Sequence, residues 1–147
     1  MVGFKANKIH TVSGQSLPIK LRWLILTDNQ IEKLPDSLGE RPSLHKFVIA
    51  GNKLTKLPKT LSKSYNLESV RVSANQLTAC PVQLLDLPKL AWLAMSGNPF
   101  SQGEANIETV PRIPSSHYKK DSGRVHQVLF QPLLGIQLTI SFRMTLL

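Results

Sequence analysis

Asn29, Asn52, Asn75 and Asn98 stand 23 residues apart, and so do Leu21, Leu44, Leu67 and Leu90. Two more apolar columns lie between each leucine and its asparagine. Leu24, Phe47, Val70 and Leu93 hold the fourth position, and Leu26, Ile49, Val72 and Met95 the sixth. Ile31, Leu54, Leu77 and Phe100 follow two residues after the asparagines. Leu34, Leu57 and Cys80, then Pro35, Pro58 and Pro81, then Leu38, Leu61 and Leu84 complete the register. A fixed period of this length excludes most folds. Residues at the fourth and sixth positions share one face of a short strand, because strand side chains alternate. One such unit cannot bury that face alone, whereas stacked units can, with their strands paired as a parallel sheet. The fold class is therefore α/β: a short solenoid with a curved parallel sheet inside and 3₁₀ or short helical turns on the convex side.

The asparagine marks the point where the chain leaves the strand and its backbone groups lose their partners. A buried carboxamide carries donors and an acceptor. It is expected to satisfy those groups within its own repeat and on the next one. The proline that follows suits the first position of a short helical turn, where its missing N–H is no loss.

The pattern L-x-x-L-x-L-x-x-N-x-L-x-x-L-P-x-x-L resembles the leucine-rich repeat family over roughly residues 2–100. The resemblance implies that Asn29, Asn52, Asn75 and Asn98 form a buried ladder. Asn7 opens the series 22 residues before Asn29 and is expected to be a rung of the same ladder, with Val2, Phe4, Ile9 and Val12 in the apolar columns. The leucine that should start this first repeat would precede Met1, so the chain begins inside a repeat. A fragment, a truncated gene model, or an end covered by a partner would each explain that, and the first two are preferred. Three phrases, "LPIKLRWLILTDNQIEKLP", "GNKLTKLPKTL" and "LPKLAWLAMSGNPF", look like the repeats that precede a serine/threonine protein kinase domain in some bacterial and plant proteins. A kinase needs a Gly-rich loop, a strand lysine, a catalytic-loop aspartate and Asp-Phe-Gly. Residues 101–147 contain none of them, and Asp121-Ser122-Gly123 mimics the last only in outline. No catalytic residue is carried over, and this chain is not expected to be an enzyme.

The repeats are expected to end near residue 100. Residues 101–127, polar and holding Pro111, Pro114 and Gly123, read as a linker or loop. Residues 128–147 form an apolar tail of nearly membrane-spanning length, interrupted by Gln131, Pro132, Gln137 and Arg143. The interruptions favour packing over the open end of the solenoid above a membrane span, and absence of fixed structure is a further alternative.

Function is expected to lie in the letters that vary. The strand face presents Trp23, Lys46, Ser69 and Trp92 in its third column and Ile25, Val48, Arg71 and Ala94 in its fifth. Arg22, His45 and Glu68 lie in the second column, and Asp28 is the only acid of the eighth. Trp and Arg are frequent anchors of protein interfaces. The candidate partner-binding residues are therefore Arg22, Trp23, Ile25, Asp28, His45, Lys46, Val48, Glu68, Arg71 and Trp92. The competing reading of the tryptophans is that they are edge residues packed on their neighbours. The formal charge of +9 makes an acidic or phosphorylated protein or peptide the expected partner. Nucleic acid is disfavoured, because Lys33, Lys53, Lys56, Lys59 and Lys63 lack interleaved aromatics and read as a solvated face. The expected role is a non-catalytic interaction module, a signalling scaffold or fragment. The alternative is the regulatory part of a kinase whose catalytic domain this chain lacks, and a basic nucleic-acid binder stands third.

Cys80 is the single cysteine, no Asn-x-Ser/Thr sequence occurs, and no apolar run follows Lys5 and Lys8. These features point to a reducing, intracellular and cytoplasmic setting. His10, His45, His117 and His126 show no metal-ligand spacing to Cys80, and no phosphate-binding loop is present. No cofactor is expected.

Overall fold

The computed structural model of the chain describes residues 1–101, 127–130 and 138–141. Five short strands run parallel in sequence order: β1 (Val2–Gly3), β2 (Trp23–Ile25), β3 (Lys46–Val48), β4 (Ser69–Arg71) and β5 (Trp92–Ala94). Their register repeats the period of the sequence. Leu24 faces Phe47, Phe47 faces Val70, and Val70 faces Leu93. Two further strands extend the sheet. β6 (Gln127–Phe130) pairs parallel with β5, and β7 (Leu138–Ser141) pairs antiparallel with β6. They fall in the stretches read from sequence as linker and apolar tail. The remainder of those stretches lies outside the described residues.

The apolar columns form one continuous core. Leu24, Phe47 and Val70 are fully buried at the fourth position, as are Ile49, Val72 and Met95 at the sixth. Leu38, Leu61 and Leu84 reach the same core from the opposite side. They sit on 3₁₀ turns at Asp36–Glu40, Lys59–Lys63 and Val82–Leu84. Pro35, Pro58 and Pro81 stand immediately before these turns rather than at their first position. Each proline carbonyl accepts the N–H of the inward leucine three residues on, at 3.0–3.1 Å. Proline's missing N–H costs nothing there, because that group would have no partner within the turn.

Asparagine does the joining between coils. Asn52 is 7 % exposed. Its Nδ2 donates to Ile49 and Ala50 in its own coil and to Leu26 O in the preceding one, at 3.1, 3.3 and 2.8 Å. Its Oδ1 accepts the N–H of Ile31, also in the preceding coil, at 3.0 Å. Asn29, Asn75 and Asn98 accept from Ile9, Leu54 and Leu77 in the same way and donate to Phe4 O, Ile49 O and Val72 O. The grip runs backwards to the coil before, not forwards to the one after. That direction corrects the expectation drawn from sequence, and it removes Asn7 from the ladder. The first coil has no described coil before it, so Asn7 is exposed and, among the described residues, its Nδ2 reaches only Lys5 O, at 2.9 Å.

The residue before each asparagine turns through the left-handed region: Ala6, Asp28, Gly51, Ala74 and Gly97 have φ between 52° and 70°. Coils also meet closely on the convex side. A Cβ added to Gly39 would run into the backbone carbonyl of Thr60 in the next coil.

Two variants test this architecture by thermal melting. Asn52→Ala should cost about 1–3 kcal/mol, since it leaves buried N–H and C=O groups without partners. Gly39→Ala should cost about 1–3 kcal/mol through backbone displacement. An unchanged midpoint for either would contradict the corresponding contact.

Candidate interaction surface

Because the fourth and sixth columns point inward, the third and fifth point outward along the same strands. Adjacent strands align these columns. Trp23, Lys46, Ser69 and Trp92 are register partners in turn, as are Ile25, Val48, Arg71 and Ala94. Between them lies a shallow depression of about 540 Å³ lined by Ile25, Lys46, Val48, Ser69, Arg71 and Trp92. It has an apolar floor from Ile25 and Val48, an aromatic wall from Trp92, and two cations. None of the lining residues is acidic. Lys46 and Arg71 are diagonal neighbours on β3 and β4.

Trp23 stands at one margin. It is 45 % exposed, and Lys46 Nζ lies 5.8 Å from the centroid of its ring. This contact holds the ammonium group over the aromatic face, a modest attraction at an open site. Trp92 is half-buried. The two tryptophans occur on β2 and β5, three strand spacings apart, or about 14 Å.

The other sequence-derived candidates are placed differently. Arg22 and Glu68 are exposed and His45 half-buried, all just before their strands. His45 Nδ1 lies 2.5 Å from Ser43 O, a carbonyl that can only accept, so the hydrogen of this contact belongs to Nδ1. Asp28 is exposed at the far end of β2, in one of the left-handed turns. The structure thus gathers Ile25, Lys46, Val48, Arg71 and Trp92 with Trp23 at the rim. Arg22, His45, Glu68 and Asp28 lie outside the depression. Ser69, absent from the sequence-derived set, lines it; its place in the third column was the available signal.

Arg41 was not legible as important. It is 9 % exposed on the convex side. Its guanidinium donates to Ser37 O at 3.1 Å and to Gly14 O of the preceding coil at 2.8 Å. Thr60 and Ser64 likewise donate backwards, to Asp36 O and Gly39 O. The column holding Arg41 reads Pro18, Arg41, Ser64, Leu87, so no repeated letter announces it.

Among the described residues, no group of His, Cys, Asp and Glu is placed to hold a metal ion, and no helix is long and apolar enough to cross a membrane. Cys80 packs against the core, half-buried, and burial pushes its thiol above the ordinary value.

Models of the leucine-rich repeat family match residues 20–40 and 42–100. This chain belongs to the leucine-rich repeat family. A solved leucine-rich repeat protein of Leptospira interrogans is similar, with 30 % sequence identity and a TM-score of 0.62. The match covers 67 % of this chain and 25 % of that one, so this chain spans about a quarter of that protein's length. No curated protein matches. Leucine-rich repeats are in general non-catalytic protein-interaction modules, and this short solenoid has that architecture.

The raised thiol pKa has a chemical consequence, because the thiolate is the reactive form. At about pH 8, iodoacetamide should alkylate Cys80 more slowly in the folded chain than in the denatured chain. The neutral thiol favours the folded state below the thiol's unfolded pKa. That contribution is lost as pH rises through the folded one. Equal alkylation rates in the two states would contradict the placement.

Proposed function

We propose that the chain binds an extended acidic or phosphorylated peptide across its strand face. The observation that carries this reading is the depression between β2 and β5. It offers two cations, an apolar floor and tryptophans at both margins, with no carboxylate among its lining residues. An anionic side chain seated between Lys46 and Arg71 would gain charge-assisted hydrogen bonds. Flanking apolar residues of the peptide would cover Ile25, Val48 and Trp92. Residues outside the depression, such as Arg22 and Asp28, would act as a rim that tunes association more than affinity.

The likeness of three sequence phrases to kinase-linked repeats extends this reading to signalling. In that setting the strand face is the recognition element of a longer kinase polypeptide. Reading the transcript downstream of the repeats for a Gly-rich loop and strand lysine would test it, and their absence would remove the extension. The lone cysteine and the absence of Asn-x-Ser/Thr favour an intracellular, cytoplasmic setting.

Fluorescence anisotropy with labelled peptide pools bearing a central glutamate, phosphoserine, serine or lysine tests the principal reading. The glutamate and phosphoserine pools should bind saturably and the lysine pool should not. Trp92→Ala and Arg71→Ala should each lower affinity by about tenfold or more, as interface anchors of these types do. Equal binding of all pools, or no loss in either variant, would contradict the site.

A further inference from the structure

We infer that β6 and β7 carry the strand face past Trp92 and give the bound peptide a second point of recognition. An acidic residue would sit at Lys46 and Arg71, and an uncharged polar residue further along would be read where Gln127, Leu129, Thr139 and Ser141 share the face. The inference rests on the peptide reading of that face and extends it.

Lateral register decides which residues lie on one side of a sheet, because residues directly opposite one another on paired strands share a face. Trp92 is paired with Gln127 and Ala94 with Leu129. Gln127 is paired in turn with Ser141, and Leu129 with Thr139. The third column therefore runs from Trp23 through Lys46, Ser69 and Trp92 to Gln127 and Ser141. The fifth runs from Ile25 through Val48, Arg71 and Ala94 to Leu129 and Thr139. Between them, Val128 and Ile140 hold the register of Leu93 in the apolar fourth column. The alternation of the repeats is thus kept on two strands that stand outside the 23-residue period.

The two parts of the face differ in chemistry. Lys46 and Arg71 lie on one side of Trp92 in strand order. Beyond it, Gln127–Phe130 and Leu138–Ser141 contain no charged residue. A charged peptide side chain brought there would lose water without gaining a partner of opposite sign. A threonine, serine, asparagine or glutamine could exchange hydrogen bonds with amide and hydroxyl groups. Strands stand about 4.8 Å apart, so β6 and β7 lie about 12 and 17 Å from the midpoint of β3 and β4. An extended peptide crossing the sheet covers that span in about four to five residues.

The probes are labelled peptides with a central glutamate and with threonine, glutamate or lysine at the fourth and fifth positions on both sides of it. They are titrated against the full chain by fluorescence anisotropy. The threonine peptide should bind most tightly. Gln127→Lys and Ser141→Lys should each shift the ratio of glutamate-flanked to lysine-flanked affinity about fivefold toward glutamate, the effect of one new opposite charge at an open site. Unshifted ratios in both variants, with Arg71→Ala still weakening every peptide, would end the face at Trp92 and overturn the proposal while leaving the acidic site standing. No saturable binding of any of these peptides would overturn the peptide reading and this inference with it. Crosslinking reads the same span without altering the chain. Of two peptides carrying benzoylphenylalanine at the fifth position before or after the glutamate, one should mark residues 127–141. Marks confined to residues 1–101 with both peptides would overturn the proposal.

Discussion

One carboxamide per coil, turned inward where the strand ends, ties this molecule together. At that corner the backbone can no longer pair with its neighbours in a ladder, yet it is covered by the next coil and shut off from water. An unpaired amide or carbonyl in such a place costs a large part of what a coil gains by stacking. Asn52 answers four such groups at once, three on carbonyls and one on an N–H, and two of them belong to the coil before. Aspartate lacks the donors and leucine lacks both functions, so the chemistry allows few substitutes. The apolar columns provide the driving force for stacking. The amide determines which coil sits on which, and at what height.

That division of labour frees the strand face. The inward columns and the asparagines fix the backbone, so the third and fifth columns face outward from Trp23 to Arg71, whereas Ala94 is buried. The result is a rigid sheet on which Lys46, Arg71 and the two tryptophans are held at fixed spacings. Preorganisation of this kind would lower the entropic cost of binding the extended peptide proposed for this face. It also explains why Asp28 stands apart. Its position belongs to the left-handed turn that precedes every asparagine, a place dictated by backbone conformation.

Much of the fold was legible because the constraints repeat. Leu24 and Phe47 differ in shape but share a register, and 23-residue spacing alone predicts that they face one another. What does not repeat was hidden. Arg41 bridges two convex turns, yet its column runs through proline, serine and leucine, so nothing in the periodicity marks it. The direction of the asparagine grip was hidden as well, since a period reads the same from either end. The misplacement of Asn7 within the ladder follows from that symmetry. For the strand face, columns named the outward residues, but only the sheet's lateral register shows which of them converge. Ser69 enters the depression and Arg22 stays outside it for this reason.

The central claim is that the asparagines close the backbone accounts of the coils before them, and amide hydrogen exchange measures it at individual residues. The N–H groups of Ile31, Leu54 and Leu77 each donate to an asparagine Oδ1 one coil later. Their exchange should require global unfolding, with protection equal to that of the strand amides. Exchange of these three amides at rates typical of open turns, while the strands stay protected, would contradict the claim.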